Sequence, residues 1–396
     1  MAAALRPAAV APHAFVTVLH DRRARAAVLQ AAVLGAVLLG IALLASNAAD
    51  NLARQNIATG FAFLWREAGF GISEHLIAYS PADTYARALL VGFLNTIRVA
   101  VAVSVVATIL GLAAGIARLS ENPLLAGIAR VFVEVVRNVP LILQLFFWYA
   151  IVRTLPGPRQ ALVPVPGTFM SNRGVLVPSV EFGPGSGILG AAALAGLVGA
   201  VLLLRRARRL RLARGHAGSA WPAALASFLV PPGLALAVLP GALSVSVPVL
   251  QGFNFRGGTT ISPEFAALFL GMTIYAAAFT AEIVRAGILA VPKGQWETAS
   301  SLGLGRLRTL QLVVLPQSLR IAIPPLTSQY LNNTKNSSLA VAIGYPDLVS
   351  VSGTTMNQTG QAIEAILLFM SVYLGLSLAT SLAMAAFERR MALRER

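Results

Sequence analysis

The chain contains no cysteine among its 396 residues and only four histidines. The missing thiols exclude disulfides, cysteine nucleophiles and cysteine-ligated zinc. The histidines are scattered, form no His-Glu-x-x-His pair, and lie outside every predicted membrane span. We therefore expect no metal site, no bound cofactor and no intramembrane catalytic pair.

The sequence also lacks a nucleotide-binding loop. No G-x-x-x-x-G-K-[ST] pattern occurs, and no lysine follows the glycine pair Gly303-Leu304-Gly305. A glycine-rich loop with that lysine is what cradles the phosphates of ATP in P-loop ATPases. If ATP drives this protein, another chain binds it, and we expect this chain not to be the enzyme that hydrolyses it.

Charged residues make up only 12% of the chain and hydrophobic residues 57%, with a mean hydropathy of +0.74. A soluble domain has too little interior to hide so much apolar surface, so the lipid bilayer is the expected surrounding. The net charge of +16 raises the question of nucleic acid. The basic residues cluster in short loops between apolar runs, which indicates membrane orientation and no nucleic-acid partner.

Eight apolar runs come close to the roughly 20 residues that a spanning helix needs, which predicts an all-α, polytopic membrane protein. The runs are residues 26–46, 89–117, 127–152, 186–204, 223–243, 264–288, 319–342 and 363–386. The first run follows three arginines and is longer than the roughly 7–15-residue core of a signal peptide. We therefore favour a retained helix over a cleaved signal.

Basic residues predict the orientation of these spans. One set of alternating loops, which includes both termini and residues 289–318, carries nineteen of them, and the other set carries seven. The remaining five lie inside the apolar runs. Because short loops rich in Lys and Arg stay in the cytoplasm, both termini and the loop 289–318 are predicted to be cytoplasmic.

Two segments interrupt the pattern of simple spans. Residues 154–185 are rich in proline and glycine, which predicts an external loop. Residues 186–243 predict an inserted helical hairpin with six arginines between Arg205 and Arg214. This cationic turn suits the anionic inner leaflet of the membrane. Docking of a partner protein is the less favoured interpretation.

The loop 289–318 carries the pattern E-T-A-x3-G-x9-V-x-L-P. Its residues are Glu297, Thr298, Ala299, Gly303, Val313, Leu315 and Pro316. Good helix formers predict a short helix from Gln295 to Leu302, with Glu297 in its first turn near the positive helix end. Gly303 permits a sharp exit, and Pro316 favours a kink or restart. A loop that presses into a partner needs such a rigid helix. An ordinary amphipathic connector is the alternative, which the full spacing disfavours.

This pattern resembles the cytoplasmic coupling loop of ATP-binding-cassette (ABC) importer permeases, and we call residues 289–318 the coupling loop. Other stretches resemble permease subunits of the polar and general L-amino-acid importers, of the glutamate, glutamine, aspartate and asparagine type. These stretches are residues 92–120, 131–152, 171–178, 263–305, 315–349 and 357–366. Two features depart from the family pattern. Thr298 replaces the usual alanine, and the hairpin exceeds the five-helix core of smaller members.

The resemblance covers about residues 88–388 and implies the transmembrane domain of a type I ABC importer. The inserted hairpin (about 186–243) and the coupling loop lie within it. An N-terminal segment, residues 1–87, would supply a cytoplasmic tail, the first spanning helix and an external stretch. Residues 389–396 would form a second cytoplasmic tail.

The resemblance also implies partners. Two ABC ATPase subunits would grip the coupling loops, and a second permease subunit, expected to be a different chain, would complete the path. A periplasmic amino-acid-binding protein would deliver the L-amino acid at the bacterial inner membrane. The alternative is an ion-coupled secondary carrier, which would need membrane carboxylates. The predicted spans hold only Glu134, Glu282 and Glu364.

Charged side chains inside spans are costly and therefore mark candidate functional positions. Two Glu-x-x-Arg pairs, Glu134 with Arg137 and Glu282 with Arg285, lie near the inner ends of their spans. Their similar depth predicts that they meet and neutralise each other. A structural ion-pair cluster and a cytoplasmic gate or amino-acid site both remain open for them.

A polar run in the seventh predicted span holds the other candidates. Asn332, Lys335, Asn336 and Ser337 lie past the middle of the bilayer, and so polar a run must face a partner helix or a water-filled path. Lys335 is the leading candidate for a charge on the substrate path, with a structural hydrogen-bonding role as the alternative. Arg98, near an outer helix end, is interpreted as a side chain that reaches up to the interface.

Overall fold

The computed structural model describes residues 22–54, 59–214 and 219–391, and most of these are helical. The α-helices are α1 (Arg22–Arg54), α2 (Tyr85–Ala117), α3 (Pro123–Asn138), α4 (Leu141–Arg153), α5 (Ser186–Arg214), α6 (Trp221–Val238), α7 (Pro263–Leu289), α8 (Lys293–Ser301), α9 (Arg306–Thr309), α10 (Leu315–Asn336), α11 (Leu348–Thr359) and α12 (Ala362–Met391). Residues 1–21 and 392–396, in the predicted cytoplasmic tails, lie outside the described residues.

The mostly helical, multi-span architecture is confirmed, but three predicted spans differ from the structure. In the described ranges, six helices are long and apolar enough to cross a membrane, namely α1, α2, α5, α6, α7 and α12. The predicted continuous span 127–152 is wrong, because α3 and α4 meet at a bend of 105°. Counted as one broken span, they make a seventh. Helix α10 covers most of the predicted span 319–342, but it is less apolar than the other six.

Pro140 causes the bend between α3 and α4. Proline disfavours the helical conformation of the residue before it, and Val139 is extended, with φ −98° and ψ 126°. The Gln144 amide donates hydrogen bonds to the backbone oxygens of Val136 (2.9 Å) and Val139 (3.0 Å). The Gln144 amide therefore supplies the hydrogen-bond partners that these two carbonyl groups would otherwise lack at the break in an apolar region.

Helix α10 is irregular at both ends. It follows a π-helical turn at Leu310–Val314 and passes into a 3-10 helix at Ser337–Ile343. Pro316 lies near its start, and because the backbone is already helical through Leu310–Val314, its missing N–H removes a helical donor there. Pro324 and Pro325 lie inside the helix and remove two more backbone donors. These prolines and the polar residues at its far end make α10 the least regular of the long helices.

The centre of the membrane part is the contact between α2 and α7. Val99 and Val103 of α2 are buried in one cluster with Leu268 and Met272 of α7, and Leu145 of α4 completes it. Small residues at the contact let helix backbones approach closely, which is typical of helix pairs in membranes. Helix α7 leads directly into the coupling loop, so this contact ties the loop to the core of the fold.

Replacing Gly111 with alanine is expected to lower the thermal midpoint of the purified protein by several degrees. A Cβ atom there would lie 2.5 Å from the Cβ of Thr280 and 2.9 Å from the backbone oxygen of Ala277. Overpacking of this kind costs about 1–3 kcal/mol. Gly127, in the first half of α3, supplies the control, because a Cβ added there would have nothing within 4 Å. Gly127→Ala should not lower the midpoint, and an equal loss in both variants would contradict this packing.

Short strands, which the sequence reasoning did not predict, flank the hairpin. They are β1 (Phe169–Ser171), β2 (Gly174–Val177), β3 (Ser179–Phe182), β4 (Leu243–Ser246), β5 (Val249–Gln251), β6 (Asn254–Arg256) and β7 (Thr259–Ile261). Strands β1, β2 and β7 form an antiparallel sheet, and β3–β4 and β5–β6 form two ribbons. The predicted span 223–243 is therefore too long, because α6 ends at Val238 and Leu243 pairs with Phe182.

The inserted hairpin consists of α5 and α6 packed against each other. Gly196 and Gly199 of α5 lie against Ser227 of α6, and a Cβ at Gly196 would be 2.7 Å from the backbone oxygen of Ser227. The ribbon β3–β4 adjoins the hairpin, because β3 precedes the start of α5 and β4 follows the end of α6. The hairpin and its ribbon thus form one elongated unit inserted between α4 and α7.

Candidate functional site

The short helix α8 stands outside the long helices and presents a polar face. It begins at Lys293, two residues earlier than predicted, so Glu297 lies in its second turn and not in its first. Glu297 and Thr298 are exposed, whereas Ala299 is buried. The helix therefore has one side packed on the protein and one side free for a partner within the described residues.

Gly303 ends α8 in the left-handed conformation, with φ +72°. The backbone N–H of Gly303 donates to the oxygen of Ser300 (2.9 Å), and that of Leu304 donates to the oxygen of Ala299 (3.1 Å). These two bonds form a Schellman turn, which favours glycine at this position. Gly305 has φ −63° and needs no such freedom.

The coupling loop is anchored to α2 and α7 by apolar contacts. Val291 and Val314, on either side of α8, are buried in one cluster with Ile288 of α7. Ile116 of α2 and Trp296 of α8 pack against this cluster. In addition, Arg306 forms an ion pair with Glu121 in the turn between α2 and α3. These contacts connect α8 to the adjoining ends of α2 and α7 and to the start of α10.

Leu315 and Pro316, the last residues of the loop pattern, lie in the first turn of α10. Leu315 is half-buried and Pro316 is exposed. Neither has a side chain able to form an ion pair, and the buried neighbour Val314 supplies the anchor in the apolar cluster. Their place at the start of α10 makes them the junction between the loop and the next long helix.

Glu282 is the centre of a charged cluster. Its carboxylate pairs with Arg285 one turn later (2.6 Å), with Arg137 of α3 (3.7 Å), and with Arg118 just after α2. The prediction that the two Glu-x-x-Arg pairs meet is half right, because Glu134 is exposed and forms no ion pair among the described residues. The sequence did not predict that Arg118 belongs to this cluster, because Arg118 follows an apolar run and was counted as a loop residue.

Lys335 lies on the wall of a cavity of about 540 Å³. Ser338, Ser377 and Tyr373 also line this cavity, although the Tyr373 hydroxyl donates to the buried carboxylate of Asp347 (3.4 Å), and Lys335 itself is exposed. Among the described residues no carboxylate pairs with Lys335. A free ammonium group beside hydroxyl groups is suited to a carboxylate ligand.

The other polar candidates of α10 do not line this cavity. Ser337 is buried, and its hydroxyl donates to the backbone oxygen of Thr334 (2.7 Å). Asn332 is exposed and Asn336 is half-buried. Asn333, which the sequence reasoning did not single out, is buried and donates to the Ser104 hydroxyl of α2 (3.2 Å). The polar run therefore includes buried residues (Asn333 and Ser337), the exposed Asn332, and the cavity-lining Lys335 and Ser338.

Arg98, in the first half of α2, is not a side chain reaching for the interface. It forms an ion pair with Glu74 (2.7 Å), and its guanidinium lies 4.1 Å from the centre of the Phe265 ring. The Ser262 hydroxyl, at the start of α7, donates to the same carboxylate (2.8 Å). The sequence did not predict these contacts, because they join Arg98 and Glu74 to each other and to α7 from separate segments of the chain.

Asp347, in the connection between α10 and α11, was also missed. It is fully buried, and its carboxylate accepts a hydrogen bond from the Ser350 N–H (2.8 Å) at the start of α11. Burial raises the pKa of Asp347 to about 7, against the opposing effect of its backbone hydrogen bonds. Its role is to cap a helix in the interior of the fold.

Comparisons with known proteins identify the family. The family described as "Binding-protein-dependent transport system inner membrane component" matches residues 222–393. The YhdX protein of Escherichia coli (strain K12) is 50% identical over 352 residues, which cover 88% of this chain and 90% of that protein. The general L-amino acid transport system permease protein AapQ of Rhizobium johnstonii is 46% identical over 383 residues, 96% of each chain.

The glutamate/glutamine/aspartate/asparagine transport system permease protein BztB of Rhodobacter capsulatus is 38% identical over 412 residues, 96% of each chain. Coverage of this extent includes the inserted hairpin and the coupling loop. These findings give no support to the ion-coupled carrier. The chain is a multi-pass inner-membrane protein and belongs to the permease subunits of amino-acid ABC importers.

Proposed function

We propose that this permease moves polar L-amino acids, with glutamate, glutamine, aspartate and asparagine as the expected class, into the cytoplasm at the expense of ATP bound by a partner. The names of AapQ and BztB support this range of substrates. AapQ and BztB match almost the whole chain, so we infer the substrate class of this permease from the classes that their names give.

The observation that carries this proposal is the exposed face of α8, with Glu297 and Thr298 on it and Ala299 packed beneath. An ABC ATPase subunit grips this face. Its movement reaches the membrane through the anchors at Val291 and Val314 and through the ion pair of Arg306 with Glu121. Leu315 and Pro316 pass the movement to α10.

The substrate path runs beside Lys335, and the second permease subunit, a different chain, covers its cavity. Asn332, Asn336 and Ser337 support the path through α10 and do not touch the substrate. The cluster of Arg137, Glu282 and Arg285 ties α3 to α7 at the inner end of the path. Glu134 has no part in this cluster, because it is exposed and forms no ion pair within the described part of the chain.

Reconstitution tests the proposal directly. The permease is placed in liposomes with its ATPase, the second permease and the periplasmic binding protein, and uptake of radiolabelled glutamate and glutamine is measured. We expect ATP-dependent uptake that disappears when any one partner is omitted. Uptake by this chain alone under an ion gradient would instead support the carrier alternative.

Single cysteines test the proposed orientation, since the natural chain has none that would interfere. In vesicles that lack the ATPase, Thr298→Cys, on the exposed face of α8, should react with a membrane-impermeant maleimide only when the vesicles are inside-out. Asn254→Cys, exposed in β6, should react only in right-side-out vesicles. Labelling of both from the same side would overturn the assignment of the coupling loop to the cytoplasm.

A further inference from the structure

The cluster around Glu282 has more positive than negative charge. Three guanidinium groups, from Arg118, Arg137 and Arg285, share one carboxylate. Glu134, one turn before Arg137, is exposed and makes no ion pair with it in the described part of the chain. Unneutralised charges at a membrane-embedded position are costly, so such a cluster calls for a further anion.

Arg137 is the arginine best placed to bind that anion. Its side chain is 39% exposed, compared with 11% for Arg118, and its 3.7 Å contact with Glu282 is at the long end of ion pairing. The ring of Phe279 lies 5.0 Å from its guanidinium carbon and supports one face of the group. Several of its five N–H donors therefore remain for a ligand.

Helix α3 has the surface pattern of a helix that lies at the membrane interface. Ala129 and Val133 are buried against the protein. A second face carries an exposed apolar stripe at helical spacing, formed by Leu124, Ile128, Val131 and Val135. A third face carries Arg130, Glu134 and Arg137. An apolar stripe beside a charged face is the pattern of a helix lying between acyl chains and lipid headgroups.

We propose that Arg118, Arg137 and Arg285 form an oxyanion site whose ligand is the phosphate of an anionic phospholipid. Arginine binds phosphate oxygens through its planar fork of donors. The acyl chains of the lipid cover the adjacent stripe at Val131 and Val135. The assignment to the inner leaflet rests on the proposed orientation, but binding of the lipid does not depend on transport.

Native mass spectrometry of the full-length protein in detergent tests the site with dioleoyl-phosphatidylglycerol as the probe and dioleoyl-phosphatidylcholine as the neutral comparison. We expect Arg137→Gln to reduce the fraction carrying phosphatidylglycerol at least fivefold. Arg130→Gln is the matched control, because it removes one charge from the same face of α3 outside the cluster. It should change the bound fraction by less than twofold.

The alternatives give different results. An equal loss in Arg130→Gln and Arg137→Gln would mean diffuse attraction and would overturn the site. Displacement of the lipid by millimolar inorganic phosphate or glutamate would show a site for free oxyanions and overturn the lipid assignment. If Arg137→Gln does not fold, Arg137→Lys keeps the charge without the fork. It should reduce binding twofold to threefold, and unchanged binding would contradict the proposal.

Discussion

Replacing Gly303 with valine is expected to reduce ATP-driven amino-acid uptake about tenfold or more, while the protein still inserts into the membrane. Gly303 has φ +72°, and an L-residue in that region costs about 1–2 kcal/mol, more when it is β-branched. Because about 1.4 kcal/mol corresponds to a factor of ten, this strain disfavours the present shape of the loop about tenfold or more relative to other shapes. The measurement is uptake in proteoliposomes that contain all partners.

Gly305 supplies the matched control for this prediction. It lies two residues later and has φ −63°, and a Cβ added at either Gly305 or Gly303 would have nothing within 4 Å. Crowding is therefore absent at both positions, and only the backbone conformation differs. Gly305→Val should retain at least half of the uptake. Normal uptake in Gly303→Val would show that the Schellman turn does not position α8 for the ATPase.

ATP hydrolysis separates loss of coupling from loss of assembly. If Gly303→Val weakens the grip of the ATPase on α8, stimulation of hydrolysis by the loaded binding protein should fall together with uptake. The ATPase should still be recovered with the permease, because the apolar anchors at Val291 and Val314 are untouched. Complete absence of the ATPase from the purified complex would point to a docking role for the turn itself.

The sequence predicted features that depend on local composition. The apolar runs located most of the long helices, and the pattern around Glu297 and Gly303 located a short helix ended by a turn. Both signals are carried by neighbouring residues, so no long-range contact is needed to read them. The start of α8 was predicted two residues too late, because neither Lys293 nor Gly294 is a residue type that marks the beginning of a helix.

The missed features depend on contacts between distant segments. Arg98 of α2 pairs with Glu74, which lies in the segment before α2. Arg118, just after α2, pairs with Glu282 of α7. The bend at Pro140 had a visible signal, but the surrounding run is apolar throughout and was interpreted as one span. The strands around the hairpin form only because segments on either side of it come together, as in the pairing of Phe182 with Leu243.

Replacing Lys335 with methionine is expected to lower glutamate uptake at low substrate concentration by about tenfold to a hundredfold. A hydrogen bond to a charged group contributes about 1.5–3 kcal/mol, which corresponds to that range if the ammonium group binds the substrate carboxylate. Methionine preserves much of the length and apolar stem of lysine, so the cavity shared with Tyr373 and Ser377 should keep its shape. The measurement is the initial rate of uptake as a function of substrate concentration.

Two further variants separate charge from position. Lys335→Arg keeps the positive charge and should retain more uptake than Lys335→Met. Asn332→Ala changes an exposed polar residue of the same helix that does not line the cavity, and it should leave uptake within twofold of the natural protein. If Asn332→Ala and Lys335→Met have the same effect, the polar run of α10 serves helix packing against the second subunit, and the substrate carboxylate must bind elsewhere. A selective loss in Lys335→Met would place the carboxylate at the one free ammonium group that the described part of α10 presents to this cavity.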